Sequence, residues 1–353
     1  MSKHIGKFLT IVIPTYNREK QLIRLLKSIE RQNVIEKYYI VVLNNHSNYD
    51  VETSIKNHFS DSFVENVEIY NRPYNAGGDY NIGSAFLFAK SQYLWIIGDD
   101  DEVEDSCFDI IEKNTELHPD IPFFKYHIKG LARYNEDVLI KNINDFTNLY
   151  NRNYFIAGDV LFVSNNIYNL SKLEDYVSTA LYYSYSSVSQ VLPMLRCLID
   201  EQPFMWCHNE IIKYNAPEGD HWNFIKIATS LSTVLDINIG NNYRVVKSFL
   251  NILSDHFPIT EFLQECLCIS DKSYRKYVSR KGMNSLYEKK SFGIWIYYIL
   301  YLLDSKTGLK SFTFCLKVNK YMQGKFNRIY ISLFNLVYPL YKKCKIVICG
   351  NHM

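Results

Sequence analysis

Apolar and polar residues alternate in blocks along the first 130 positions, and the blocks differ in period. Phe8-Leu-Thr-Ile-Val-Ile13 is a continuous, β-branched-rich run closed by Pro14, the pattern of a strand buried on both faces. Between Lys20 and Gln32, Leu22, Ile23, Leu25, Leu26 and Ile29 recur at helical spacing with charges between them, which predicts an amphipathic helix. Tyr39-Ile-Val-Val-Leu43 predicts a second strand, ending in the polar cluster Asn44-Asn-His-Ser-Asn48. A weaker helix follows over 50–60, then a third strand at Val67-Glu-Ile-Tyr70, a loop at Asn75-Ala-Gly-Gly78 and a helix over 80–90. Tyr93-Leu-Trp-Ile-Ile97 is the fourth strand, stopping abruptly at Gly98-Asp-Asp-Asp101.

Strand and helix in this alternation predict right-handed crossovers and a mostly parallel sheet covered on both faces. Such sheets bind ligands beyond the carboxyl ends of their strands. Three polar clusters fall at those ends, Pro14–Arg18, Asn44–Asn48 and Asp99–Asp101, so one cleft can hold them all. Farther along, Phe123–Ile128 reads as a strand, 131–153 as a polar, Asn-rich loop beside the site, and Phe155–Val163 as a strand. Leu181–Ile199 reads as one long apolar helix kinked at Pro193, and the pattern from 224 onward is helical.

Composition narrows the class. The chain has 353 residues, 47% hydrophobic and 22% charged, enough to bury a real core and unlike disordered, collagenous or coiled-coil sequences. The eight cysteines are scattered, with Cys266 and Cys268 the one close pair. No C-x-x-C pair suggests zinc or redox chemistry. Met1-Ser-Lys-His leads almost directly into the first strand without an apolar leader, which predicts a cytoplasmic protein.

The formal charge of +2 hides an asymmetry. From Lys289 onward there are 11 Lys and Arg against the single acid Asp304, a net +10, and residues 1–288 carry −8. The same segment holds the apolar runs Phe292–Leu303 and Ile329–Leu340. A twelve-residue helix covers about 18 Å, short of the roughly 30 Å of a bilayer's hydrocarbon. Tyr- and Trp-containing runs flanked by Lys and Arg instead suit a helix lying on an anionic membrane surface. Nothing in the charge pattern calls for nucleic acid.

Asp99-Asp100-Asp101 carries the sharpest chemistry. Three carboxylates held together repel one another unless a cation is shared among them. A hard divalent ion, Mn2+ or Mg2+, does this and also bridges the phosphates of a nucleotide.

Four motifs in order, Thr10-Ile-Val-Ile-Pro-Thr-Tyr-Asn-Arg18, Val41-Val-Leu-Asn-Asn-His-Ser47, Asn75-Ala-Gly-Gly-Asp-Tyr-Asn81 and Trp95-Ile-Ile-Gly-Asp-Asp-Asp101, resemble glycosyltransferase family 2. The last form is similar to the abequosyltransferase-like branch of bacterial O-antigen and capsule assembly. The resemblance implies a GT-A fold, an α/β Rossmann-like domain with a mostly parallel sheet, over 1–223. Residues 1–130 would bind the nucleotide and 131–223 the acceptor, followed by a mainly helical region over 224–353 with the basic aromatic tail at 289–353. It implies that Pro14, Thr15, Tyr16 and Arg18 border the nucleobase and ribose, and that Asn44 stands where the family usually has a base-reading Asp. Asn75, Gly77, Gly78 and Asn81 would let the backbone approach the donor. Asp99 and Asp100 would face the nucleotide sugar, and Asp101 and Asp99 would hold the metal, with His221 as a further ligand.

The implied reaction is an inverting transfer from a UDP-, dTDP-, GDP- or CDP-sugar to a lipid-linked glycan at the inner face of the cytoplasmic membrane. It needs a carboxylate base; Asp175, Glu174 and Asp159 are the candidates, followed by Glu210 and Asp220. In Glu218-Gly-Asp-His-Trp-Asn223, Trp222 would stack on the acceptor sugar. A sugar-phosphate nucleotidylyltransferase needs a Gly- and Arg-containing phosphate loop that Pro14–Glu19 lacks. An inactive scaffold has no need of the intact aspartate run.

Overall fold

The computed structural model describes residues 7–34, 36–128, 135–215, 224–234, 242–257, 259–285, 298 and 301. Contacts divide the chain into two compact units, Met1–Phe257 and Pro258–Met353. The first opens with β1 (Leu9–Thr15), α1 (Glu19–Glu30), β2 (Tyr39–Asn44), α2 (Val51–His58), α3 (Asp61–Val64), β3 (Val67–Asn71), α4 (Gly78–Gly83) and β4 (Tyr93–Ile96). It continues through β5 (Glu102–Val103), α5 (Cys107–Leu117), β6 (Phe123–Ile128), β7 (Val138–Ile140), α6 (Ile143–Asn151) and α7 (Ala157–Leu161). Then come β8 (Asn166–Asn169), α8 (Leu170–Tyr182), α9 (Leu192–Ile199), β9 (Phe204–Lys213), α10 (Phe224–Thr233) and α11 (Tyr243–Leu253). In the second unit, α12 (Ile259–Cys268) and α13 (Lys272–Ser285) are described.

One sheet of nine strands runs in the order β3-β2-β1-β4-β8-β6-β9-β5, with β7 paired to β9. The first half is parallel, as the apolar runs predict: β1 pairs with β2 and β4, and β2 with β3. Every residue of β1 is buried, and Leu9, Ile11, Val12 and Ile13 supply apolar side chains to both faces, as a central parallel strand requires. Leu22, Leu25, Leu26 and Ile29 of α1 join Trp95, Phe124, Tyr126 and Ile167 in the core beneath the sheet.

Direction reverses at β8, which lies antiparallel between β4 and β6, with Tyr93 opposite Asn169 and Trp95 opposite Ile167. The start of β8 therefore sits at the carboxyl end of β4, where the aspartate run begins.

Three sequence expectations are corrected here. Phe155–Val163 is not a strand; Ala157–Leu161 is a helical turn, started by the Asp159 carboxylate accepting from the Ile156 backbone N–H, and a short apolar run fits either state. Leu181–Ile199 is not one kinked helix. It is α8, a 3-10 turn at Ser189–Val191 and then α9, with Pro193 in the first turn of α9, where a missing N–H costs nothing. Segment 131–153 contains β7 and α6 rather than loop alone. The basic tail from Lys289 lies outside the described residues except for Tyr298 and Tyr301, and among the described residues no helix is long and apolar enough to cross a membrane.

Candidate functional site

A cleft of about 390 Å3 opens at the carboxyl ends of β1 and β4. Pro14 and Thr15 at the end of β1, with Tyr16 and Arg18 just beyond it, form one side. The turn is held by Asn17 in the left-handed region at φ 54°, a conformation asparagine tolerates. The Asn17 N–H donates to Ser47 Oγ and its side-chain oxygen accepts from the Asn48 N–H, pinning the first polar cluster to the second.

The aspartate run is more finely partitioned than its spelling suggests. Thr15 Oγ1 donates to Asp99 at 2.7 Å, and Arg18 bridges Asp99 at 3.0 Å and Asp100 at 2.9 Å. Arg24 donates to the Asp100 carbonyl at 2.6 Å. A protein cation thus answers two of the three carboxylates, correcting the expectation that their repulsion alone demands a metal. Asp101 differs: Ser164 Oγ donates to one of its oxygens at 2.6 Å, and the other, Oδ1, is buried without a hydrogen bond of good geometry. The Asn215 backbone N–H lies toward this carboxylate and favours its charged form.

Burial pushes the Asp101 carboxyl up to about 8 and Asp99 up to about 6, with Arg18 and Thr15 holding the latter back. A buried carboxylate oxygen without a partner is costly, and a divalent cation supplies what it lacks. Asp101, with Asp99 beside it, therefore fits a hard metal. Gly98 leaves room for this arrangement, because a Cβ there would lie 3.1 Å from Asp100 and 3.4 Å from Asp101. His221 lies outside the described residues, and among the described residues no cluster of three or more metal-binding side chains occurs.

Ser164 carries no sequence signal, yet it is fixed from every side. Its Oγ accepts from the Gly98 N–H at 2.9 Å and its carbonyl accepts from the Trp95 indole at 2.6 Å. The turn that bears it is tied down from below by Lys125, wholly buried, whose ammonium donates to Asn165 at 2.5 Å, Asn166 at 2.6 Å and the Phe162 carbonyl at 3.1 Å. Burial holds the Lys125 ammonium well below its ordinary range, opposed by nearby Asp159.

The other expected residues divide. Gly78 and Asn81 line the cleft, with Asn81 fixed by Arg72 and the Leu43 carbonyl. Gly77 precedes them at φ +88°, a backbone only glycine adopts freely. Asn44 is turned inward, donating to Asn71 and accepting from the Ser47 N–H. Its neighbour Asn45 faces the cleft instead, donating to Asn75 and accepting from the Ala76 N–H.

Of the base candidates, Glu174 and Asp175 are exposed on α8 and Asp159 is buried 3.9 Å from His127. None of the three is among the residues lining the cleft. Asp79 does line it, paired at 2.5 Å with Lys226 of α10. Trp222 and Asp220 lie outside the described residues. The remaining wall is Phe162, Val163 and Ser164, then Ser186, Ser187, Ser189 and Gln190, with Tyr214 and Ile227.

Residues 10–176 match the family described as Glycosyl transferase family 2. The chain is 28% identical over 203 residues to abequosyltransferase RfbV of Salmonella typhimurium, a match covering 54% of this chain and 52% of that protein. The chain thus spans about half the length of this relative. By fold it is similar to S. aureus TarS 1-349 in complex with UDP-GlcNAc, at 12% identity over 79% of this chain and 89% of that one, TM-score 0.53. It is also similar to the mannosyltransferase PcManGT of Pyrobaculum calidifontis in complex with GDP-Man and Mn2+, at 11% identity over 91% and 86%, TM-score 0.50. The switch from parallel to antiparallel strands at the cleft and the four ordered motifs lie within residues 10–176, the segment that matches Glycosyl transferase family 2, and the fold is of the GT-A kind.

Proposed function

We propose that this protein transfers a sugar from a nucleotide-sugar donor to a lipid-linked glycan during assembly of a bacterial surface polysaccharide, with a divalent cation at Asp101. The observation that carries the reading is the buried, unpartnered Asp101 oxygen beside the Thr15–Asp99–Arg18 network at the floor of the cleft. The relative's activity as an abequosyltransferase and the nucleotide sugars bound by the structural neighbours support it.

In this reading Tyr16, exposed at the rim, offers its ring to the nucleobase, and Asn45 rather than the inward-turned Asn44 reads the base edge. An amide both donates and accepts, so base choice rests on the backbone around it. Asp101 and Asp99 would hold the metal, which when bound neutralises charge on the departing diphosphate. Arg18 fixes Asp99 and Asp100 in place, and Ser164 orients Asp101.

An inverting transfer requires a base across the sugar from the diphosphate. Among the described cleft-lining residues, Asp79 is the carboxylate outside the aspartate run, and we assign the acceptor proton to it in preference to Glu174, Asp175 or Asp159. The +10 tail would sit on the anionic cytoplasmic leaflet, where a lipid-linked acceptor presents itself.

The test is hydrolysis and transfer with a panel of UDP-, dTDP-, GDP- and CDP-sugars, with and without Mn2+. One donor is expected to be cleaved in a metal-dependent manner, and Asp101→Asn is expected to abolish this while keeping the fold. Full activity of Asp101→Asn discards the metal role. No cleavage of any donor discards the transferase reading.

A further inference from the structure

Ser186, Ser187, Ser189 and Gln190 form a cleft wall to which the donor reading assigns no task, and residues 182–185 lead into it. Their side chains sort by chemistry. Ser184, Ser186, Ser187, Ser189 and Gln190 are buried, whereas Tyr182 and Tyr185 are 75% and 61% exposed. The rings of Tyr182, Tyr183 and Tyr185 are contiguous, with centroids 4.9 and 6.0 Å apart.

The wall is rigid. The Ser184 N–H donates to the Leu181 carbonyl, and both the Ser186 N–H and its hydroxyl donate to Tyr183. Gln190 is locked by donating to the Leu161 carbonyl and accepting, through its own carbonyl, from the Tyr168 hydroxyl. Against this background two groups stand out. The hydroxyls of Ser187 and Ser189 are buried in the cleft lining and make no hydrogen bond. Buried hydroxyls in a native structure normally have partners, and both of these belong to residues that line the cleft.

Hydroxyl donors inside and a sheet of tyrosine rings outside match one chemistry. A sugar ring presents hydroxyls around its rim and an apolar C–H surface on its face. We propose that residues 182–189 form the acceptor-glycan site. The Ser187 and Ser189 hydroxyls bond the hydroxyls of the sugar that enters the cleft, and the Tyr182–Tyr183–Tyr185 rings carry the face of the sugar behind it. The inference rests on the transferase reading and names the substrate class of a wall that reading leaves open.

Saturation-transfer NMR on the full chain, with methyl glycosides of hexoses and 6-deoxyhexoses as probes, tests it. Thermal shift with UDP, dTDP, GDP and CDP plus Mn2+ follows the nucleotide side in parallel. Transfer to at least one glycoside is expected in the native protein. It should be lost both in Tyr182→Ala/Tyr185→Ala and in Ser187→Ala/Ser189→Ala, with nucleotide shifts unchanged. The tyrosines are exposed and the serine hydroxyls unpaired, so both variants should fold. Glycoside signals that persist in the variants overturn the proposal, as does a native protein that binds nucleotide but no glycoside. Loss of nucleotide shift in the serine variant moves these hydroxyls to the donor and also overturns it. A native protein that binds glycosides but no nucleotide removes the transferase reading and the acceptor role with it.

Discussion

A single hydroxyl decides how Asp101 is presented. Ser164 holds one carboxylate oxygen at 2.6 Å and the other is buried without a well-formed hydrogen bond, so Ser164→Ala should weaken Mn2+-dependent stabilisation roughly tenfold in metal concentration, the lower end for a group that orients a ligand. Ser164→Thr should restore it, and the melting temperature without metal should scarcely change; titration of Mn2+ by thermal shift reads all three. The same carboxylate sets a pH dependence. Its folded value near 8 and that of Asp99 near 6 lie above those of the unfolded chain, so their stabilising contribution is complete below about pH 4 and lost as pH rises to about 8. Metal-free protein should therefore melt lower at pH 8 than at pH 5, and Asp101→Asn should flatten the upper part of that slope. Stabilisation by Mn2+ should grow over the same interval, because binding must displace the Asp101 proton. Residue-level legibility was uneven for a physical reason. Aspartates following an apolar strand announce themselves, whereas Ser164, Ser187 and Ser189 acquire meaning only from what surrounds them.

At the level of elements, α4 and the 183–190 segment meet closely at Gly83, where an added Cβ would lie 2.5 Å from Ser184 Cβ and 2.7 Å from its Cα. Neither neighbour is the loose end of a flexible side chain. Gly83→Ala should cost about 1–3 kcal/mol, as overpacking does, and should lower affinity for nucleotide and saccharide together by parting two walls of the cleft. Urea unfolding and the thermal-shift panel measure the two effects. The parallel strands were legible because burial on both faces writes a continuous apolar run. β8 was not, because Asn-Ile-Tyr-Asn spends its ends on buried amides: Asn166 is satisfied by Lys125 and the Phe162 and Val163 carbonyls, Asn169 by the Pro119 and Ile121 carbonyls. β9 was hidden by His208-Asn-Glu210 in its middle, near the register shifts opposite His127 and Ile128.

Over the whole molecule, charge is unevenly spread, with −8 over residues 1–288 and +10 from Lys289 onward. Removing residues 289–353 should release the protein from liposomes containing anionic lipid while leaving metal-dependent nucleotide binding in place; co-sedimentation and thermal shift report the two halves of that statement. The reversed strand β8 has its own bearing on how such a protein diversifies. It enters beside Asp101 and leaves at the amino end of β4, and α8, 13 residues and about 20 Å long, carries the chain on to the tyrosine segment. The aspartate run and the tyrosine segment are thus opposite ends of one excursion of the backbone. Exchanging that return stretch between homologous chains should reprogram which glycan is extended without disturbing which nucleotide is consumed.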